Sequence, residues 1–153
     1  MNYFELFNCV VAFDLKEEQL KQIKQRFYQL QKQYHPDRFS NHNAQQKLEA
    51  LQKSSFINDA YKTLIDPIER GLYLLKICDG PLQLELETHF SSDFLCQLME
   101  WQEDQASSVV QEILSENLVI YQQKMNKAFI TKDWSEFRVL LKQSLMVQKL
   151  IQS

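Results

Sequence analysis

The chain carries only two glycines and three prolines in 153 residues. Sheets, hairpins and glycine-rich loops need these residues as punctuation, so the shortage, beside abundant Leu, Gln, Glu and Lys, points to an all-α protein. There is no phosphate-cradling glycine loop and no Gly-x-Ser-x-Gly elbow, so the chain shows no enzymatic machinery. Cys9, Cys78 and Cys96 are scattered, with no Cys-x-x-Cys spacing. Such a set suits reduced thiols in a cytosolic protein, not a disulfide frame or a zinc site. No apolar run approaches the ~20 residues that span a bilayer. The stretch Met1-Asn-Tyr-Phe-Glu5 has no basic leader, so a cytoplasmic protein without signal peptide or membrane contact is expected. The net charge of −3 argues against a general nucleic-acid binder.

What is present centres on His35-Pro36-Asp37. Pro36 lacks an N–H and pushes the residue before it out of helical dihedrals, so a helix should stop near Tyr34. An imidazole and a carboxylate are then left on a turn at a helix end, where binding groups tend to lie. Pro-Asp is also ordinary turn chemistry, and the tripeptide alone does not decide between the two. His35, Asp37 and His42 are the only close set of possible metal ligands. Pro36 makes shared ligation by the first two improbable, so neither metal nor cofactor is expected.

Tyr3–Phe7 reads as a short helical segment, followed by Val10, Val11 and Phe13 in a loop packed inward. Asp14 and Glu17 have capping-box spacing, with Asp14 as N-cap. From there Leu20, Ile23, Phe27, Leu30 and Tyr34 mark one apolar stripe on a helix of about five turns. Lys21, Lys24, Tyr28 and Lys32 fall along one flank of that stripe and Arg26 along the other. A basic flank leading to His35 suits an acidic protein partner; it is equally the pattern of a solvated helix face. Residues 38–43 read as a loop, and a second helix runs from about Asn43 to Ile65. Its Leu48 and Leu51 lie nearly opposite Ile57, Ala60, Tyr61 and Leu64. The first half should therefore pair antiparallel with the preceding helix, with His35–Asp37 at the hairpin tip. Asp66-Pro-Ile-Glu69 restarts a short helix, and Asp79-Gly-Pro81 ends it.

The C-terminal half reads as helices over about 92–104, 107–130 and 133–152, the last opened by the capping box Asp133–Glu136. Phe94, Leu98 and Trp101 form a core stripe, while Leu95, Cys96 and Met99 lie outside it near Glu100 and Glu103. On the last helix Trp134, Phe137, Leu141 and Leu145 share one stripe, with Val139, Met146 and Leu150 nearly opposite. A second apolar face on each helix is either a patch for a protein partner or the inside of the bundle, and periodicity leaves both open.

The helix ending Gln33-Tyr-His-Pro-Asp-Arg38, followed by one ending Ile57-Asn-Asp-Ala-Tyr-Lys-Thr-Leu64, resembles a J-domain. With Tyr3–Phe7, Tyr34–Phe39, Asp66–Leu75 and Phe94–Glu100 added, the whole chain resembles the HscB family, J-type co-chaperones of iron–sulfur cluster assembly. The resemblance implies an all-α fold in which an N-terminal J-domain (1–76), a linker (77–89) and a C-terminal three-helix bundle (90–153) form an L shape. It also implies two partners: HscA, a DnaK-type chaperone ATPase, and IscU, the iron–sulfur scaffold protein, with the chain a monomer when free. Carried onto this sequence, His35, Pro36 and Asp37 would activate the ATPase, and Lys21, Lys24, Arg26, Tyr28 and Lys32 would dock on it. Leu95, Cys96, Met99, Glu100, Glu103 and Met146 would bind the scaffold, which turns the choice on the second apolar faces toward a patch. Cys96 and Trp101 depart from the bulkier or aliphatic residues of other members, and the C-terminal half looks shorter than usual. No cysteine-rich N-terminal extension is seen, which favours a bacterial type. The alternative is a J-domain protein that serves general DnaK with a different client.

Overall fold

The computed structural model describes residues 1–83 and 90–151. Among them are seven α-helices and no strand. The fold is all-α. It divides into two compact units, Met1–Arg70 and Gly71–Ser153. Of the expected linker over 77–89, residues 84–89 lie outside the described residues, as do 152 and 153 at the end of the last expected helix.

The first unit opens with α1 (Tyr3–Leu6), whose ends are fixed locally. Asn2 Oδ1 accepts the Glu5 N–H at 2.9 Å, and the Glu5 carboxylate accepts the Asn2 N–H at 3.2 Å. α2 spans Glu17–Tyr34. Its cap differs from the expected Asp14: the N-cap is Lys16, and Gln19 Oε1 accepts the Lys16 N–H at 2.9 Å. The reason is tertiary. Phe13 and Leu15 are both buried, with the chain bending at Phe13 and Asp14 to place them, so the helix begins only after Leu15. Val10 and Val11, expected inside, are exposed; the loop inserts Phe13 alone of the three.

The expected α2 stripe is present. Ile23 and Leu30 are buried, Leu20, Phe27 and Tyr34 are half-buried, and Phe27 stacks on Tyr61 with centroids 4.1 Å apart. Pro36 ends the helix as anticipated, with His35 at φ −60°, ψ 132°. The chain then makes a 3₁₀ turn over Pro36–Phe39, tighter than the expected loop. α3 (Ala44–Ile65) is capped by Asn43, whose Oδ1 accepts the Gln46 N–H at 2.8 Å.

The inward face of α3 is also a correction. Leu48 and Leu51, expected to pack on α2, are 54% and 55% exposed. Ala50 and Ser54 are buried instead, in one stripe with Ile57, Ala60 and Leu64. Small residues at this crossing let the two helices approach closely enough for side chains to bond across it. Gln31 uses the closeness fully: its Nε2 donates to Asn58 Oδ1 at 2.9 Å, and its Oε1 accepts from Ser54 Oγ at 3.1 Å. α4 (Pro67–Cys78) starts on Asp66, whose Oδ1 accepts the N–H groups of Ile68 and Glu69 at 2.8 and 3.1 Å. The unit boundary falls within α4. Arg70 is buried against the Phe13 ring, and desolvation lowers its pKa while Asp14 and Asp66 oppose the shift.

In the second unit α5 (Ser92–Glu103), α6 (Ser108–Ile130) and α7 (Trp134–Leu150) share one core. Phe94, Leu98, Trp101, Leu114, Val147 and Leu150 form its α5-side cluster, with Met146 half-buried against it. Leu150, expected on a second outward face of α7, is therefore core. α7 contacts both α6 and α5, and two neighbours bury a wider arc than a single stripe: Phe137, Leu140, Leu141, Ser144, Val147 and Leu150. Val139 remains exposed. Two polar clasps close the unit. The Gln105 and Gln111 amides both donate to the Leu150 carbonyl, at 3.1 and 3.0 Å, satisfying a helix-end acceptor. Arg138 donates to Asp79 Oδ2 at 3.1 Å and to the Gly80 and Pro81 carbonyls at 3.0 and 3.3 Å. Gly80 holds φ +111° in that turn, which a side chain would resist.

Candidate protein-interaction surfaces

The His-Pro-Asp turn is tied down by hydrogen bonds to its own backbone. His35 Nδ1 accepts the Asp37 N–H at 3.2 Å, and Asp37 Oδ2 stands 3.5 Å from the same nitrogen. A neutral imidazole whose Nδ1 accepts must carry its proton on Nε2, so His35 presents that N–H as a donor. Arg38 reaches back across the turn, donating from Nη1 to the Lys32 carbonyl at 3.1 Å. That carbonyl is one of the free acceptors at the end of α2. The His35 and Asp37 side chains remain exposed, with Pro36 half-buried between them.

Beside the turn lies an open groove of about 650 Å³, lined by Tyr28, Gln31, Lys32, His35 and Arg38. Lys21 and Lys24 are exposed farther up α2; Lys21 makes only a surface ion pair with Glu17 at 3.4 Å, of little energetic weight. Tyr28, Lys32 and His35 thus meet at one surface. Arg26 does not join them: it is half-buried and lines a separate groove with Leu30 and Ile57. Gln31 was not among the residues singled out from the sequence. Its spacing, three after Tyr28 and four before His35, is the signal that places it there.

The second surface is on α5. Phe94, Leu98 and Trp101 point into the core. Leu95 and Met99, 43% and 61% exposed, lie outside it with exposed Cys96, Glu100 and Glu103. The structure brings these five to one face of one helix, apolar in the middle and acidic toward its C-terminal end. Met146 is on α7 at the edge of the core, half-buried. Among the described residues no group of three or more His, Cys, Asp or Glu side chains converges to hold a metal ion. No helix among them is long and apolar enough to cross a membrane.

Comparison with known proteins shows what the chain is similar to. Residues 15–73 match the DnaJ domain. A relative from Psychromonas ingrahamii, named co-chaperone protein HscB homolog, is 44% identical over 103 residues, which cover 67% of this chain and 59% of the relative. The chain spans about three-fifths of the length of the curated relatives it matches, the share being 59% and 58% for two of them. The solved structure of human co-chaperone protein HscB superposes with a TM-score of 0.89 at 28% identity, covering 98% of this chain and 78% of that one. Chaperone HscB from Vibrio cholerae gives 0.82 at 27% identity, covering 98% and 93%.

Proposed function

Because this chain belongs to the HscB family of co-chaperones, we propose that it is a two-faced adaptor between a DnaK-type chaperone ATPase and an iron–sulfur scaffold protein. In this reading the chaperone is of the HscA type and the client is IscU. The observation that carries it is the exposed His35–Asp37 turn on one unit together with the exposed Leu95–Met99 face on the other.

The ATPase chemistry belongs to the partner. Lys21, Lys24, Tyr28 and Lys32 supply a basic flank for an acidic surface, which steers encounter. His35 Nε2–H, its ring oriented by the Asp37 N–H, and the exposed Asp37 carboxylate then offer a donor and an acceptor side by side on the turn. Such a pre-formed pair favours whichever partner conformation meets both, and a protein that binds the hydrolysis-competent state better shifts the partner toward it. Leu95, Cys96 and Met99 form the apolar centre of the client contact, with Glu100 and Glu103 at its rim and Met146 beside it. Holding both partners raises the client's effective concentration at the chaperone. This adaptor works in the cytoplasm as a monomer, and needs no metal or cofactor of its own.

Single-turnover ATP hydrolysis by the HscA-type chaperone tests this, with and without the chain, each with and without IscU. Stimulation that rises further with IscU is the expected result. Stimulation indifferent to IscU would replace the client, leaving a J-domain protein for general DnaK; no stimulation would overturn the reading.

A further inference from the structure

α6 is apolar on two sides, and its bundle covers one of them. Leu114, Met125 and Ala128 are buried inside. On the outer side Val109, Val119, Ile120 and Ile130 are exposed, from 44% at Ile120 to 69% at Ile130. At about 100° per residue these four share one arc with Glu112, Glu116, Gln123 and Lys127, all exposed as well. From Val109 to Ile130 the arc runs about 31 Å along the helix. A helix that is apolar all round is ordinarily covered all round.

The order of residues along the arc says what fits there. It is apolar at both ends and at its middle, acidic through its first half and basic in its second. Two such faces laid antiparallel, centred between Val119 and Ile120, match at every level. Val109 stands level with Ile130 of the second copy, Glu112 with its Lys127, Glu116 with its Gln123, and Val119 with its Ile120. Glu112 and Lys127 lie about 11 Å to either side of the centre, so both ends of the pair carry the same opposite charges. Those charges are not engaged elsewhere: among the described residues none of Glu112, Glu116 and Lys127 forms an ion pair. Glu112 and Glu116, four residues apart on the helix, repel each other in the single chain. A parallel pair would set each charge against its own kind, which is unfavourable.

We propose that the outer face of α6 pairs with the same face of a second copy of this chain, antiparallel about a twofold axis between Val119 and Ile120. The apolar residues at the centre and ends supply the burial, and the Glu112 and Lys127 charges fix direction and register. One helix face of this length is a small contact beside the ~800 Å² per partner of a standard interface, so the pair is weak and dissociates on dilution. The adaptor proposed above is then the dilute, monomeric form. No residue of its two docking faces belongs to this arc, so the inference stands apart from that reading.

Sedimentation equilibrium of the full chain, carried from low micromolar to submillimolar concentration, tests this. The expected result is a reversible monomer–dimer equilibrium that weakens as salt is raised. Glu112→Lys alone and Lys127→Glu alone each set like charges level across the axis and should weaken self-association at least tenfold. An equimolar mixture of the two variants sets a lysine against a glutamate at both ends and should associate at least tenfold more tightly than either variant by itself. That rescue also shows both variants to be folded. In the ¹⁵N-labelled chain, amide shifts that grow with concentration should fall along α6. A mixture no tighter than its components, association unaffected by either variant, or concentration-dependent shifts on α2 or α5 in place of α6 would overturn the proposal. A monomer at every concentration would also overturn it, leaving the face to a different protein.

Discussion

Met99→Ala separates a contact residue from a core residue on the same helix. Full burial of a methionine side chain is worth about 1.5–3 kcal/mol. Met99 is 61% exposed, so about three-fifths of that remains to be gained by binding, or about 1–2 kcal/mol. At 1.4 kcal/mol per decade, truncation should raise the scaffold's Kd about 5- to 30-fold. The same exposure means that folding stability should change by no more than about 0.5 kcal/mol. Leu98, one residue earlier and 5% exposed in the α5–α6–α7 cluster, supplies the control. Leu98→Ala should cost about 2–5 kcal/mol of stability through lost burial and a cavity. Calorimetric titration with IscU gives the affinities, and urea unfolding gives the stabilities. A Kd for Met99→Ala within twofold of the wild type would refute the contact. A loss of more than 2 kcal/mol in its folding stability would refute the placement of the side chain in solvent.

Four further outcomes are expected. His35→Gln should abolish stimulation of the chaperone ATPase while scaffold binding stays within twofold; losing both would remove the division between the faces. Leu48→Gln and Leu51→Gln should each change stability by less than about 0.5 kcal/mol, and a loss above 2 kcal/mol in a urea melt would return them to the α2–α3 interface. Arg138→Leu removes an ion pair to the exposed Asp79 carboxylate and bonds to two carbonyls and should cost no more than about 1 kcal/mol, whereas a loss above 2 kcal/mol would show the clasp to be shielded from solvent. Gln111→Leu should speed amide exchange at the end of α7 without altering exchange in α2 and α3; uniform exchange in both units would contradict the division at Arg70.

Much of the fold was legible because its signals are local. Asp66 before Pro67, Asp133 before Trp134 and the α2 stripe act within a few residues of themselves, and each appears in the structure as read. Pro36 stops α2 for a steric reason that no neighbour can reverse. The His35–Asp37 turn and the basic flank beside it follow from these features, as does the grouping of Leu95, Cys96 and Met99 on one side of α5. Other features depend on residues distant in the chain. Asp14 has cap chemistry, yet the burial of Phe13 and Leu15 moves the start of α2 to Lys16. Leu48 and Leu51 look like core by hydropathy, yet Ala50 and Ser54 face α2 because small side chains allow the close crossing that Gln31 bridges. Leu150 joins the core because α5 and α6 both cover α7. Arg26 shares a helix with Tyr28 but opens onto a different groove. Sequence by itself determined that Pro36 ends α2, that Asp66 and Asp133 start α4 and α7, and which residues share a helix face, since backbone and cap energetics are local. The tertiary structure alone decided which apolar faces are covered, since burial depends on what packs against them.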